Sequence, residues 1–160
     1  MKRSIGILLS VCLLLLFCFG CNKTPSPQEF KYKLPDNQNI SLNAPQAEMI
    51  QVDHLTEMDG SYQKSGEILV GGVAFEYASF SFEDDRLSHA AYFGKQSDSY
   101  EEDGNQLISF FNEMYGASEP HEGKDGYWTF TLESGEKYSL SLDIQSSSQY
   151  VFLFLYRYVE

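Results

Sequence analysis

The first 21 residues constrain this chain most, because they set which residues fold together and in which compartment. Lys2 and Arg3 precede an uncharged apolar run from Ile5 to Phe19, and Cys21 follows shortly after. About 15 apolar residues are fewer than the roughly 20 that a transmembrane helix needs, and the next segment is polar and proline-containing. The pattern predicts a secretion signal over residues 1–20 that is removed from the mature chain.

The segment Cys18-Phe19-Gly20-Cys21 resembles the lipobox of bacterial lipoproteins. Cys18 and Phe19 stand where that family usually has leucine and a smaller residue. The resemblance implies that Cys21 receives a diacylglyceryl group, becomes the new N-terminus and is then acylated. Two or more acyl chains anchor a protein stably to a membrane. We therefore expect an extracytoplasmic, lipid-anchored protein, at either the cell membrane or the outer membrane.

Charge excludes one large class of partners. Removal of residues 1–20 from the 160-residue chain leaves 140 residues, enough for one domain with a core. Loss of Lys2 and Arg3 leaves nine cations against 23 carboxylates, a formal charge of −14. Nucleic acid is not an expected partner, because its phosphates need clustered cations.

Cysteine usage excludes internal disulfides. Cys12 and Cys18 lie in the signal, so Cys21 is the one cysteine of the mature chain, and the lipid is expected to consume its thiol. Stability must therefore come from packing.

Residues 21–45 carry four prolines and little periodicity, which predicts a lipidated N-terminus followed by a flexible tether. Within this stretch Phe30, Tyr32 and Leu34 alternate, a pattern that can add a short edge strand. The folded domain is predicted over residues 46–160.

The rest of the chain predicts an α+β fold with an antiparallel sheet and about two helices. One helix is expected over 46–58, capped by Asn43 and ended by Gly60, and the other over 97–115. Period-two alternation predicts six strands. Their expected ranges are 67–73, 74–82, 87–93, 127–133, 137–144 and 150–159.

The two halves suggest a tandem αβββ repeat. The segments Glu57-Met58-Asp59-Gly60 and Glu113-Met114-Tyr115-Gly116 each stand at the predicted end of a helix, and three strands follow each one. This arrangement, after a lipidated cysteine, resembles the beta-lactamase-inhibitor-protein-like architecture and the small outer-membrane assembly lipoproteins that share it. It also resembles many uncharacterised bacterial lipoproteins. The resemblance implies that the domain binds other proteins.

The last predicted strand, 150–159, is apolar on both faces and suggests where such binding occurs. One set of side chains can face the helices, while the other is either covered by a second layer or forms an exposed aromatic surface. The candidate binding face comprises Trp128, Phe154, Tyr156 and Tyr158, because aromatic side chains are favoured interface anchors.

No pattern predicts catalysis, a cofactor or a metal. The three histidines, His54, His89 and His121, show no ligand spacing, and nucleophile-elbow and phosphate-loop motifs are missing from the sequence. The leading expectation is a non-catalytic, protein-binding lipoprotein that acts as an assembly accessory or an inhibitor-like module. The alternative is a small-ligand or polysaccharide binder that uses the eleven tyrosines as stacking platforms. A hydrolase comes third, and it requires two carboxylates that converge in a cleft.

Overall fold

The computed structural model describes residues 31–33, 39–42 and 44–158, and these adopt the expected α+β fold. Residues 1–20, Cys21, Phe30, Leu34 and Asn43 lie outside the described residues. No helix in the described part of the chain is both long and apolar enough to cross a membrane.

Two helices and nine strands occur in the described residues. The helices are α1 (Gln46–Asp53) and α2 (Tyr100–Tyr115). The strands are β1 (Lys31–Lys33), β2 (Asn39–Ser41), β3 (Thr56–Met58), β4 (Ser61–Val70), β5 (Val73–Glu83), β6 (Arg86–Gly94), β7 (Gly126–Thr131), β8 (Lys137–Gln145) and β9 (Tyr150–Tyr158). Strands β5 to β9 and α2 lie close to their predicted ranges, because their alternation and helical periodicity are regular. The range 67–73 predicted for the first of these strands is wrong at its start, since β4 begins at Ser61, where it pairs with both β3 and β5.

The strands form one antiparallel sheet in the order β2-β1-β4-β5-β6-β9-β8-β7, with β3 paired to β4. Strands β4 to β6 form one meander and β7 to β9 another, and the two meet where β6 pairs with β9. A helix precedes each meander, so the predicted αβββ order occurs twice, with β3 as an addition in the first half.

Both helices contribute to the same hydrophobic core, on one face of the sheet. Helix α2 packs against β5, β7, β8 and β9 and buries Leu107 and Phe111, while Met49 of α1 is also fully buried.

The first turn of α2 is acidic. It contains Glu101, Glu102 and Asp103, whose carboxylates interact favourably with the positive end of the helix dipole.

The prediction of a helix over 46–58 is wrong in its second half. Helix α1 ends at Asp53, His54 adopts the left-handed conformation, and Thr56–Met58 forms β3. The hydrogen bonds of a hairpin to β4, in which Met58 pairs with Ser61, replace those of further helical turns. The parallel between the two Glu-Met-x-Gly segments is therefore wrong, since the first is strand and turn and the second is a helix end.

Part of residues 21–45 is not a tether. The short edge strand that the alternation around Tyr32 allowed is present as β1, and the tether prediction is wrong for β2, Leu42 and Ala44. Strand β1 pairs with β4 through Lys33 and Leu69, and β2 pairs with β1. Leu42 is fully buried and Ala44 nearly so. Because these residues pack into the sheet and core, the folded domain begins before residue 46.

Candidate binding face

Strand β9 divides its side chains between two environments. Val151, Leu153 and Leu155 are buried in the core under the helices. Phe152 and Phe154 alternate with them, are half-buried, and project from the opposite side of the sheet, which we name the outer face. Within the described residues no helix packs on the outer face, because α1 and α2 share the core on the other side.

Antiparallel register brings further aromatic side chains onto the outer face. His89 pairs with Tyr156 and Phe93 with Phe152, while Tyr77 pairs with Phe93 on the neighbouring strand. We name the whole set the aromatic row. It comprises Tyr77, His89, Phe93, Tyr127, Tyr150, Phe152, Phe154, Tyr156 and Tyr158.

Ring contacts make this row continuous across the sheet. Tyr77 stacks on Phe93 with ring centroids 4.3 Å apart, and Phe93 meets the edge of Phe152 at 5.8 Å. The centroids of Phe152 and Phe154 are 6.3 Å apart. The row therefore runs without interruption from β5 to β9.

The most exposed members of the row lie towards the end of β9. Tyr156 is 47% exposed and Tyr158 48%. The ring of Tyr156 stacks on His89 with centroids 4.5 Å apart, and the hydroxyl of Tyr158 lies 2.8 Å from that of Tyr127. The pKa of the Tyr127 hydroxyl is raised, mainly by this hydrogen bond with Tyr158 and to a smaller extent by burial. Both exposed tyrosines are thus held in place by ring or hydroxyl contacts.

Small side chains lie between the rings. Ala91, Ser139 and Ser141 are 3%, 6% and 4% exposed, although they are on the outer face. By register Ser139 lies beside Tyr156, and both Ala91 and Ser141 lie beside Phe154. The larger rings on either side cover these small residues, so the row has a closely packed, uncharged base.

The side chain of Lys124 borders the row at Phe154. The Nζ of Lys124 lies 5.2 Å from the centroid of the Phe154 ring and 3.9 Å from a carboxylate oxygen of Asp143. The ammonium therefore covers one face of Phe154 by a cation–π contact.

Trp128 does not belong to the binding face, so this part of the prediction is wrong. Its side chain is 1% exposed and lies in the core, where its ring packs on Phe111 of α2. The indole Nε1–H donates hydrogen bonds to the Asn112 side-chain oxygen at 3.0 Å and to the Gly116 carbonyl at 3.2 Å. In β7 the residues on the outer face are instead Tyr127 and Thr129, because alternation places Trp128 on the helix side.

The other three predicted residues lie together on the outer face. The structure places Phe154, Tyr156 and Tyr158 on one strand at two-residue spacing. Sequence reasoning missed Tyr77, His89, Phe93 and Tyr127. Alternation within their own strands was visible, but their proximity to β9 depends on the order of strands in the sheet.

A groove of about 770 Å³ adjoins the row beyond Tyr77. It lies where β4 and β5 both depart from regular pairing, and Glu67, Glu76 and Lys95 contribute to its lining. A hydrolase requires two carboxylates that converge in a cleft, and Glu67 and Glu76 both line this groove. Both are solvent-exposed, however, whereas an acid–base pair needs environments that distinguish the two carboxyls.

The histidines form no shared site. His54 is at the end of α1, His89 stacks on Tyr156, and His121 stacks on Tyr127 at 4.1 Å. Among the described residues no group of three or more potential ligands (His, Cys, Asp or Glu) is arranged to hold a metal ion.

Comparisons with protein-family models, with curated proteins and with solved structures found no match to this chain. The resemblances to bacterial lipoproteins and to beta-lactamase-inhibitor-protein-like folds therefore stay predictions from the sequence.

Proposed function

We propose that this protein is a membrane-anchored lipoprotein of the cell envelope that binds another protein through the aromatic row, without catalysing a reaction. The anchor is the lipid on Cys21, predicted from the lipobox-like segment. The observation that carries the proposal is the exposure of Tyr156 and Tyr158 on the sheet face opposite the helices.

The asymmetry of the sheet supports this function. A sheet with helices on one face usually places polar residues on the other. Here the outer face of β9 carries aromatic residues at every second position from Tyr150 to Tyr158. Large exposed aromatic surfaces on a folded domain are typical of interaction sites.

The size of the row also suits a protein partner. From β5 to β7 the outer face spans five strands, or about 19 Å, and β9 is about 27 Å long, which gives roughly 500 Å². A standard interface buries about 800 Å² on each partner. The aromatic row can therefore form the centre of such an interface, with the surrounding polar residues as its rim.

Ring geometry favours a protein over a polysaccharide. A sugar-binding platform uses several rings with open faces, but Tyr77, Tyr127 and Tyr156 each have one of their two faces against a neighbouring ring, and Lys124 covers a face of Phe154. Each of these rings therefore offers at most one face to a sugar. The groove beside Tyr77 is the observation that favours a small-ligand or polysaccharide binder as the second candidate, because it combines a ring with polar groups.

Site-specific photo-crosslinking in the envelope tests the proposal. The full-length chain carries p-benzoylphenylalanine in place of Tyr156, and a control chain carries it in place of Ser109, which is exposed on α2. We expect a discrete crosslinked protein from position 156 alone. A Tyr156→Ala/Tyr158→Ala variant should lose capture of the same protein, while a Ser109→Ala/Glu113→Ala variant should retain it.

Thermal melts decide whether each variant is folded before capture is compared. Equal crosslinking from positions 156 and 109, or undiminished capture by the folded tyrosine variant, would contradict a binding role for the aromatic row.

A further inference from the structure

The groove beside Tyr77 arises from an irregularity in the sheet. Ser65 pairs with Tyr77 and Ile68 with Phe75, so two residues of β4 oppose the single residue Glu76 of β5. One of those two residues is Glu67. The bulge therefore places two carboxylate side chains on neighbouring strands at the same level of the sheet.

The charges of this groove are not matched to each other. Neither Glu67 nor Glu76 forms an ion pair within the described part of the chain. Lys95 also lines the groove, but one ammonium leaves an excess of negative charge. Like charges on adjacent strands destabilise a sheet, so this arrangement is unfavourable in the free protein.

The ring of Tyr77 adds a second attraction for a cation. It is 37% exposed, stacks on Phe93 on the β6 side and lines the groove on the β4 side. An ammonium or guanidinium against a tyrosine face gains a cation–π interaction, and arginine forms this contact most often.

We propose that the groove receives an arginine or lysine side chain of the protein that docks on the aromatic row. Its positive charge lies between Glu67 and Glu76, with its stem against Tyr77. The inference rests on the proposed function, because the Tyr77–Phe93 stack joins the groove to the row and one partner segment can contact both. Charge complementarity selects a basic segment, since the chain carries a formal charge of −12.

Fluorescence anisotropy with defined peptides tests this site without knowledge of the partner. The probes are fluorophore-labelled tetra-arginine amide and tetra-citrulline amide, which has the same shape without the charge. The protein is the full-length chain in non-ionic detergent. We expect the arginine peptide to bind, the citrulline peptide to bind at least tenfold more weakly, and Glu67→Gln/Glu76→Gln to weaken arginine binding at least tenfold.

A matched control separates the groove from the overall charge. The variant Glu122→Gln/Glu133→Gln removes the same charge from exposed positions outside the groove, and its affinity should stay within twofold of the native value. Equal loss in both double variants, equal binding of both peptides, or no binding by the native chain would overturn the inference. Binding of the uncharged sugar cellohexaose to the native chain, if the Glu67→Gln/Glu76→Gln variant loses it, would also overturn the inference. The groove would then bind a glycan.

The peptide assay is independent of the crosslinking test. Tyr156→Ala/Tyr158→Ala should bind tetra-arginine as the native chain does. If the peptide requires Glu67 and Glu76 while position 156 captures no protein, the proposed function fails and the cation site remains. If capture succeeds and the peptide result is negative, the aromatic row binds its partner without the groove.

Discussion

The indole N–H of Trp128 donates a 3.0 Å hydrogen bond to the side-chain oxygen of Asn112, and this bond joins β7 to α2. The same oxygen accepts a hydrogen bond from the backbone N–H of Ser118, in the segment after the helix. One amide group thus fixes a strand, a helix and a connecting segment. We expect Asn112→Ala to lower the free energy of unfolding by about 1–3 kcal/mol, because it leaves a buried indole N–H with one acceptor fewer.

Urea denaturation of the variant measures this effect, and Asn105→Ala at an exposed position of the same helix provides the control. If Asn112→Ala lowers the free energy of unfolding no more than the control does, the hydrogen bond does not stabilise the fold. Trp128→Ala should cost more, about 3–5 kcal/mol, since it also opens a cavity in the core.

Gly104 permits α2 to approach the sheet closely. A Cβ at this buried helical position would lie 2.7 Å from Cγ1 of Ile144 on β8. Helix propensity alone predicts that Gly104→Ala stabilises the protein by about 1 kcal/mol. We expect the opposite sign, a loss of about 1–3 kcal/mol, because the added methyl overpacks the interface.

The double variant Gly104→Ala/Ile144→Val provides the check on that cause. Removal of one methyl from residue 144 should restore part of the lost stability in urea titration. A single variant that is more stable than the native chain would contradict the close-packing argument.

The stability of the domain should depend on the protonation of His89. Burial lowers the pKa of this imidazole below its usual value of 6.5, so the fold favours the neutral form. The stabilisation that depends on neutral His89 is fully present above the pKa of His89 in the unfolded chain. It is lost as the pH falls through the lower pKa of His89 in the folded chain. We expect stability to decrease from pH 7 to pH 5, and to decrease less in His89→Phe, which keeps a ring against Tyr156.

Urea midpoints at both pH values measure this difference. His54→Phe is the control, because that residue is exposed at the end of α1. The prediction fails if His89→Phe shows the same pH dependence as the native chain.

The two carboxylates of the groove should oppose folding in the free protein. Glu76→Gln removes the repulsion with Glu67 and is expected to raise the melting temperature by roughly 1–3 °C. The gain should shrink in high salt, which screens exposed charges. A scanning melt at low and high ionic strength checks this, with Glu122→Gln as the reference; a gain that salt leaves unchanged would point to a cause other than charge.

Local periodicity predicted most of the regular structure. Alternation in β9 and the apolar stripe of α2, with Leu107 and Phe111 buried, both appear as expected. The failures are at residues whose structure depends on pairing. Thr56–Met58 became a strand by pairing with β4. At the sheet edge, β1 lies where alternation around Tyr32 allowed a short strand, whereas β2 lies in residues predicted as tether.

The sequence by itself determined the α+β class, the alternation that places Phe154, Tyr156 and Tyr158 on one face, and the prediction of a lipid anchor at Cys21. Tertiary structure alone decided which face the helices cover, and so buried Trp128 while it left Tyr156 exposed. It also decided the pairing of β6 with β9, which brings His89 and Phe93 to the aromatic row. The physical reason is that period-two alternation assigns residues to one of two faces, whereas helix packing and strand order, set by contacts distant in sequence, choose the face that is buried.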